Sequence, residues 1–452
     1  MEAARVERGS WIRRRLRPVD RQILALAVPS LGALVAEPLF VLVDSAVVGR
    51  LGTAPLGGLA LAGTVLTTAV GLCVFLAYTT TASVARALGA GHRDRALRLG
   101  VDGLWIAAAL GVTLAGVLLA TAPELLAALG APPEVLPHAV AYLRWSAPGL
   151  PGMLVVLAAT GVLRGMLDTR TPLWVAAGGA VLNAVLSVVL VLGLRLGVAG
   201  SGAGTAVTQL LMAGVLGAVV VRGARREGVP LLPTGAGVLH GARSGVPLLL
   251  RTLSLRAALL LAAWVAAGLG TVSLAGHQVV MALWGLIAFA LDALAIAARA
   301  LVGRGLGAGD VGATRAVLRR TLQWGTGAGV VLGILLAPLA WWLGPLFTDD
   351  DDVRRAVAVA LWVVCATLPV AGWVFVLDGV LIGAGDGRYL AVAGLVTLVV
   401  YAPAAVAVRS WADDGAAGLA WSWVAFGGLF MLARAVTTGL RARGRAWMVT
   451  GA

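Results

Sequence analysis

The sequence predicts an all-α integral membrane protein: twelve transmembrane helices in two parallel six-helix lobes, related by a pseudo-two-fold axis along the membrane normal. Three observations carry that reading. Of 452 residues, 60% are hydrophobic and 12% charged, about half the charge fraction of an ordinary soluble chain. Apolar runs of roughly 18 residues or more recur, the length that crosses a hydrocarbon core of roughly 30 Å. The chain also repeats itself at an offset of 218 residues.

The repeat is made of punctuation. Val28-Pro29 recurs as Val246-Pro247, Leu51-Gly52-Thr53 as Leu269-Gly270-Thr271, and Leu88-Gly89-Ala90-Gly91 as Leu306-Gly307-Ala308-Gly309. Leu150-Pro151 recurs as Leu368-Pro369, and Gly161-Val162-Leu163 as Gly379-Val380-Leu381. One offset held without a gap from residue 28 to residue 418 marks two copies of one frame.

A basic tail, 1–19, opens the chain. The first six spans lie near 20–48, 54–80, 98–121, 136–160, 172–194 and 198–222, an N-lobe of 20–222. A polar, breaker-rich linker, 223–239, follows. The C-lobe, 240–440, holds spans near 240–267, 272–298, 316–343, 354–380, 390–408 and 416–438, and a tail, 441–452, closes the chain. Six is even, so the second copy enters the membrane from the same side as the first, and the repeats are parallel. The apolar stretch after Arg13-Arg14-Arg15 resembles a signal peptide. Its counterpart at 246–271 is internal, so the first span belongs to the fold.

The formal net charge is +14 and every basic residue except the histidines is Arg. With a cytoplasmic N-terminus, 27 of the 35 fall in tails, inward-facing loops or the inward ends of spans. That bias sets both termini in the cytoplasm of a plasma-membrane protein and argues against a nucleic-acid partner. Cys73 and Cys365 sit in apolar runs and read as core residues. No Walker A motif, metal cluster or cofactor motif is present. The implied partners are the bilayer and a small-molecule substrate, with the chain acting as a monomer.

Ionisable groups inside spans are functional candidates. Glu37 and Asp44 are seven apart on the first span, two turns or roughly 10 Å along one face. Asp102 reads as an interfacial acid near the arginines of the third span. Asn183, the chain's only Asn, lies mid-span, with Ser187 one turn on and Thr205 in the next span. They are either ordinary contacts between helices or a hydrogen-bond shell around Asp44. The second copy carries Arg251, Arg256, Asp292 and Asp378. A buried Arg needs a carboxylate, so Asp292 or Asp378 is expected either to pair with Arg256 or to bind a cationic substrate or second ion. Pro29 permits bending of the first span.

These residues resemble a known family. Leu42-Val43-Asp44-Ser45-Ala46-Val47-Val48-Gly49-Arg50-Leu51-Gly52 resembles the first-helix signature of multidrug and toxic compound extrusion (MATE) transporters, and Leu163-Arg164-Gly165-Met166-Leu167-Asp168-Thr169-Arg170-Thr171-Pro172 resembles the family's loop between helices four and five. Ala36-Glu37-Pro38-Leu39, Arg251-Thr252-Leu253-Ser254, Leu274-Ala275-Gly276-His277-Gln278 and Leu377-Asp378-Gly379 point to its DinF-like branch. The resemblance implies a transporter rather than an enzyme. It implies export of amphipathic, cationic compounds by alternating access, driven by H⁺ or Na⁺. It makes Asp44 the cation-coupling residue, Asn183, Thr205 and Tyr142 its polar neighbours, and Pro29 the bending proline. Many relatives carry a second acid one turn after the asparagine, where this chain has Ser187. Losing that acid favours H⁺ over Na⁺, and Glu37 is the candidate replacement. The remaining alternatives are a lipid-linked precursor flippase, for which only Arg251 and Arg256 supply cations, and a polytopic membrane enzyme, whose Asp-rich or paired-His motif is absent.

Overall fold

The computed structural model describes residues 17–451, and at Ala236 and His240 the backbone alone. Among the described residues, eleven helices are long and apolar enough to cross a membrane. A bent pair, Val311–Leu336 with Ala340–Leu346 at 60°, makes the count twelve if taken as one span. No strand occurs among the described residues. The breaks inside spans have local causes. Pro148 sits in the 3₁₀ turn Ala147–Gly149 that divides Leu136–Ser146 from Leu150–Gly165, where a residue without an N–H fits. Two helices run on into π-helical turns, Val188–Gly193 after Arg170–Ser187 and Val424–Phe430 after Ala416–Trp423.

The acidic run 349–352 starts a helix. The Asp350 carboxylate accepts from the amides of Asp352 (2.9 Å) and Val353 (3.1 Å) at the head of Asp351–Gly383. Acids there meet otherwise unpaired N–H groups and the positive end of the helix dipole. Asp414, in the loop before Ala416, accepts from the amides of Ser273 (2.8 Å), Val272 (3.3 Å) and Gly415 (2.8 Å). Desolvation raises its pKa, but the hydrogen bonds from Ser273, Val272 and Gly415 outweigh it and hold the carboxyl below the usual carboxylate range.

By contacts the chain divides into two compact units. Of the described residues, one comprises 17–31, 258–384 and 397–450; the other comprises 32–257, 385–396 and 451. Three of the boundaries fall inside helices, Pro18–Gly49, Gly235–Leu269 and Gly387–Trp411; another falls in the turn that follows Gly383.

In each unit the repeated glycines mark where backbones touch. In the second, a side chain at Gly111 would strike the Pro151 backbone, and one at Gly161 the Ala77 carbonyl. In the first, Gly329 meets the Leu368 carbonyl and Gly379 the Ala295 carbonyl in the same way. Each of these contacts recurs at the offset of 218. Only a residue without a side chain lets two helices approach this closely. The repeated turns have a second cause: Gly91 and Gly309 adopt φ +84° and +73°, a region that favours glycine.

The first unit also holds a buried aromatic core of Trp284, Tyr401, Trp423, Phe426 and Phe430, with His277 5.7 Å from Trp423. Asp20, at the start of the first helix, is buried against Arg320 and accepts from the indole of Trp324 at 2.9 Å.

In the second unit the segment 227–234 is fastened along the helix Arg93–Ala128. Arg98 donates to the carbonyls of Pro230 and Leu232, both at 2.6 Å. Trp105 donates to the Leu231 carbonyl at 2.9 Å, and Arg93 pairs with Glu227 at 3.0 Å. Asp102 accepts from the Thr234 amide (3.0 Å) and hydroxyl (3.1 Å). The same hydroxyl accepts from the Gly237 amide at 3.2 Å and so caps the next helix.

Candidate functional site

The Asp44 carboxylate is 2% exposed, on the helix Pro18–Gly49. Its Oδ1 accepts from Asn183 Nδ2 at 3.0 Å and from the Ser187 hydroxyl. Its Oδ2 accepts from the Thr205 hydroxyl at 3.3 Å. Asn183 and Ser187 are one turn apart on Arg170–Ser187, so one helix face presents both. Thr205 comes from Gly197–Arg226. Tyr142 is buried within electrostatic range of Asp44. Among the described residues no basic side chain pairs with Asp44. Fully buried Ser201 also lies beside the carboxylate, and neither its Oγ nor Asn183 Oδ1 makes a well-formed hydrogen bond. The shell is therefore neutral, rich in hydroxyls and incompletely satisfied. Two open oxygens can take a water or an ion.

Glu37 shares a helix with Asp44 but not its surroundings. It is exposed, and the charged group in range is Arg256, itself exposed. Pro29 lies inside the helix Pro18–Gly49, which runs through it without a break.

The second-copy acids depart from expectation. Asp378 is buried against the Arg434 guanidinium, not Arg256. The Arg434 Cζ lies 5.8 Å from the Phe375 ring centroid and 5.7 Å from that of Phe430. Arg434 is on Met431–Arg443, directly after the π-helical turn. A usable signal for it exists: the residue falls inside the last apolar stretch, yet it reads as a loop arginine because Arg441 and Arg443 follow so soon. Arg164 and Arg299, likewise counted with the loops, are buried inside Leu150–Gly165 and Thr271–Gly307. Asp292 is half-buried and belongs to no ion pair among the described residues. Arg251 is buried, 5.9 Å above the Tyr78 ring. Asp102, read as an interfacial acid, is 3% exposed; it pairs with Arg98 at 3.4 Å and holds Thr234.

The MatE family model matches the chain twice, over residues 29–189 and 247–407. The second match begins 218 residues after the first, the period of the repeat. The Arabidopsis thaliana protein DETOXIFICATION 44, chloroplastic, is 33% identical over 82% of this chain and 74% of its own length. The Escherichia coli DNA damage-inducible protein F is 30% identical over 81% of each. In fold, a crystal structure of the Vibrio cholerae MATE transporter VcmN superposes with a TM-score of 0.85 at 22% identity, over 95% of this chain and 98% of that one. Twice-matched along its length, and folded into long apolar helices like VcmN, the chain belongs to the MATE family of multidrug efflux transporters, which are not enzymes.

Proposed function

We propose that the protein exports amphipathic, cationic small molecules in exchange for H⁺ by alternating access, with Asp44 as the group that takes up and releases the proton. The observation that carries this reading is a buried carboxylate inside a spanning helix, held only by neutral donors. One proton changes the charge of that shell from −1 to zero. In a medium of low dielectric constant that change shifts the balance between conformations strongly. Ser187 occupies the position where a second carboxylate would add charge for Na⁺. The open oxygens of Asn183 and Ser201 keep Na⁺ as the alternative ion. Tyr142 and Thr205 complete the coupling shell, and Pro29 is the bending point.

In this reading the N-lobe is 20–222 and the C-lobe 240–440, with both termini in the cytoplasm and the monomer as the working unit. The paired family matches support two equivalent lobes. The arginine bias supports the orientation.

Everted vesicles test the coupling. Addition of a transported cation is expected to collapse an imposed pH gradient without Na⁺, and Asp44→Asn is expected to abolish the response at unchanged expression. A response to Na⁺ alone overturns the proton assignment. Transport that survives Asp44→Asn makes Asp44 structural.

A further inference from the structure

Glu37 and Arg256 are both exposed and lie 12 and 13 residues before the ends of their helices, Pro18–Gly49 and Gly235–Leu269. At about 1.5 Å per residue that places both some 18–20 Å inside. A charged head at such depth does not face lipid at acceptable cost, so it faces a water-filled space. The two are in electrostatic range of one another, yet they form no ion pair within the described residues. Arg256 is also held from behind. Its guanidinium lies against Gly71, where any side chain would collide with it. Gly71 is in the last turn of Thr53–Leu72, and the C-terminal end of a helix is the end that favours a cation. Arg256 thus packs beside the end of that helix, and among the described residues its guanidinium makes no hydrogen bond. Five residues earlier, Arg251 is turned away, buried above Tyr78.

A purely cationic substrate gains from Glu37 and is repelled by Arg256. A molecule with both charges gains from both. We infer that Arg256 and Glu37 form a substrate subsite for amphipathic zwitterions, Arg256 receiving the carboxylate and Glu37 the cationic nitrogen. The planar guanidinium suits a carboxylate through two parallel hydrogen bonds. The inference rests on the export reading above and adds a carboxylate to the cationic substrate named there.

The test uses two dyes that differ only in one carboxyl group, rhodamine B and its ethyl ester, bound to the purified full-length protein and read by fluorescence anisotropy. Wild type is expected to bind rhodamine B more tightly. Arg256→Gln should weaken rhodamine B by about tenfold or more, a change of about 1.4 kcal/mol, and leave the ester within roughly twofold. Glu37→Gln should weaken both dyes. If Arg256→Gln does not fold, Arg256→Lys keeps the charge without the paired donors and is expected to weaken rhodamine B alone. Equal losses for both dyes, tighter binding of the ester by wild type, or no saturable binding of rhodamine B overturns the inference. Asp44→Asn should keep the dye preference while losing proton-coupled movement, so the two readings fail separately.

Discussion

Asp44 is 2% exposed and Asp378 6%, yet the first meets an amide and two hydroxyls while the second meets a guanidinium flanked by two phenyl rings. Both lie in long apolar helices, one in each compact unit. The Asp378–Arg434 pair is neutral as a unit and leaves no charge for a proton to remove. In the proposed function the Asp44 shell carries such a charge when the carboxyl is ionised, because no basic side chain pairs with it among the described residues. The same residue type, equally buried, therefore braces one unit and offers a chargeable site in the other. Burial alone does not distinguish the two roles; the partner does.

The sharpest way to break this contrast is to neutralise each acid. Asp378→Asn removes the carboxylate that faces a buried guanidinium, and its expected cost is about 3–5 kcal/mol, read as a lower melting temperature of the purified protein. Asp44→Asn keeps the shape of its shell, and its expected stability cost is below about 1 kcal/mol. Equal costs would erase the distinction. Next in size, Asn183→Ala removes a donor to the Asp44 carboxylate, for which about 1.5–3 kcal/mol is usual; transport should fall by about tenfold or more while Asp378-dependent stability is untouched.

The shared frame makes the opposite prediction. Gly111→Ala and Gly329→Ala place a methyl group against equivalent backbones, so each should destabilise by about 1–3 kcal/mol. A large difference between them would show that the repeat is not packed alike in the two units. The smallest effect belongs to Asp414, an acid outside the spans satisfied by backbone amides. Loss of the cap through Asp414→Ala is expected to cost about 1 kcal/mol. Because the fold lowers its pKa, the contribution is complete above the ordinary Asp value of about 3.9. It is lost as pH falls through the lowered value, so wild type and variant melting temperatures should converge in acid.

The spans were legible because crossing a bilayer demands length and hydrophobicity, and both are written residue by residue. The Asp44 shell was legible for a related reason. Polar side chains are so scarce in these spans that Asn183, Ser187 and Thr205 had few other acids to meet. What stayed hidden depended on register. Nothing in the hydropathy of 424–430 announces a π turn, and Arg434 sits close enough to the end of its helix to pass for a loop residue. Arg164 and Arg299 were hidden in the same way. The different surroundings of Glu37 and Asp44 were hidden for another reason: a shared helix face fixes direction, not environment.

The fastening of residues 227–234 has a consequence for how the protein is made. Chains leave the ribosome from the N-terminus, and early domains fold first. When this segment emerges, the helix Arg93–Ala128 that receives it has already been synthesised. Arg98 and Trp105 then take up its carbonyls, Asp102 takes Thr234, and the helix from Gly235 starts from a cap supplied by the earlier part of the chain. The two copies of the repeat are thus unequal in time. The second begins on a surface that the first provides, and a second half made alone would begin without it.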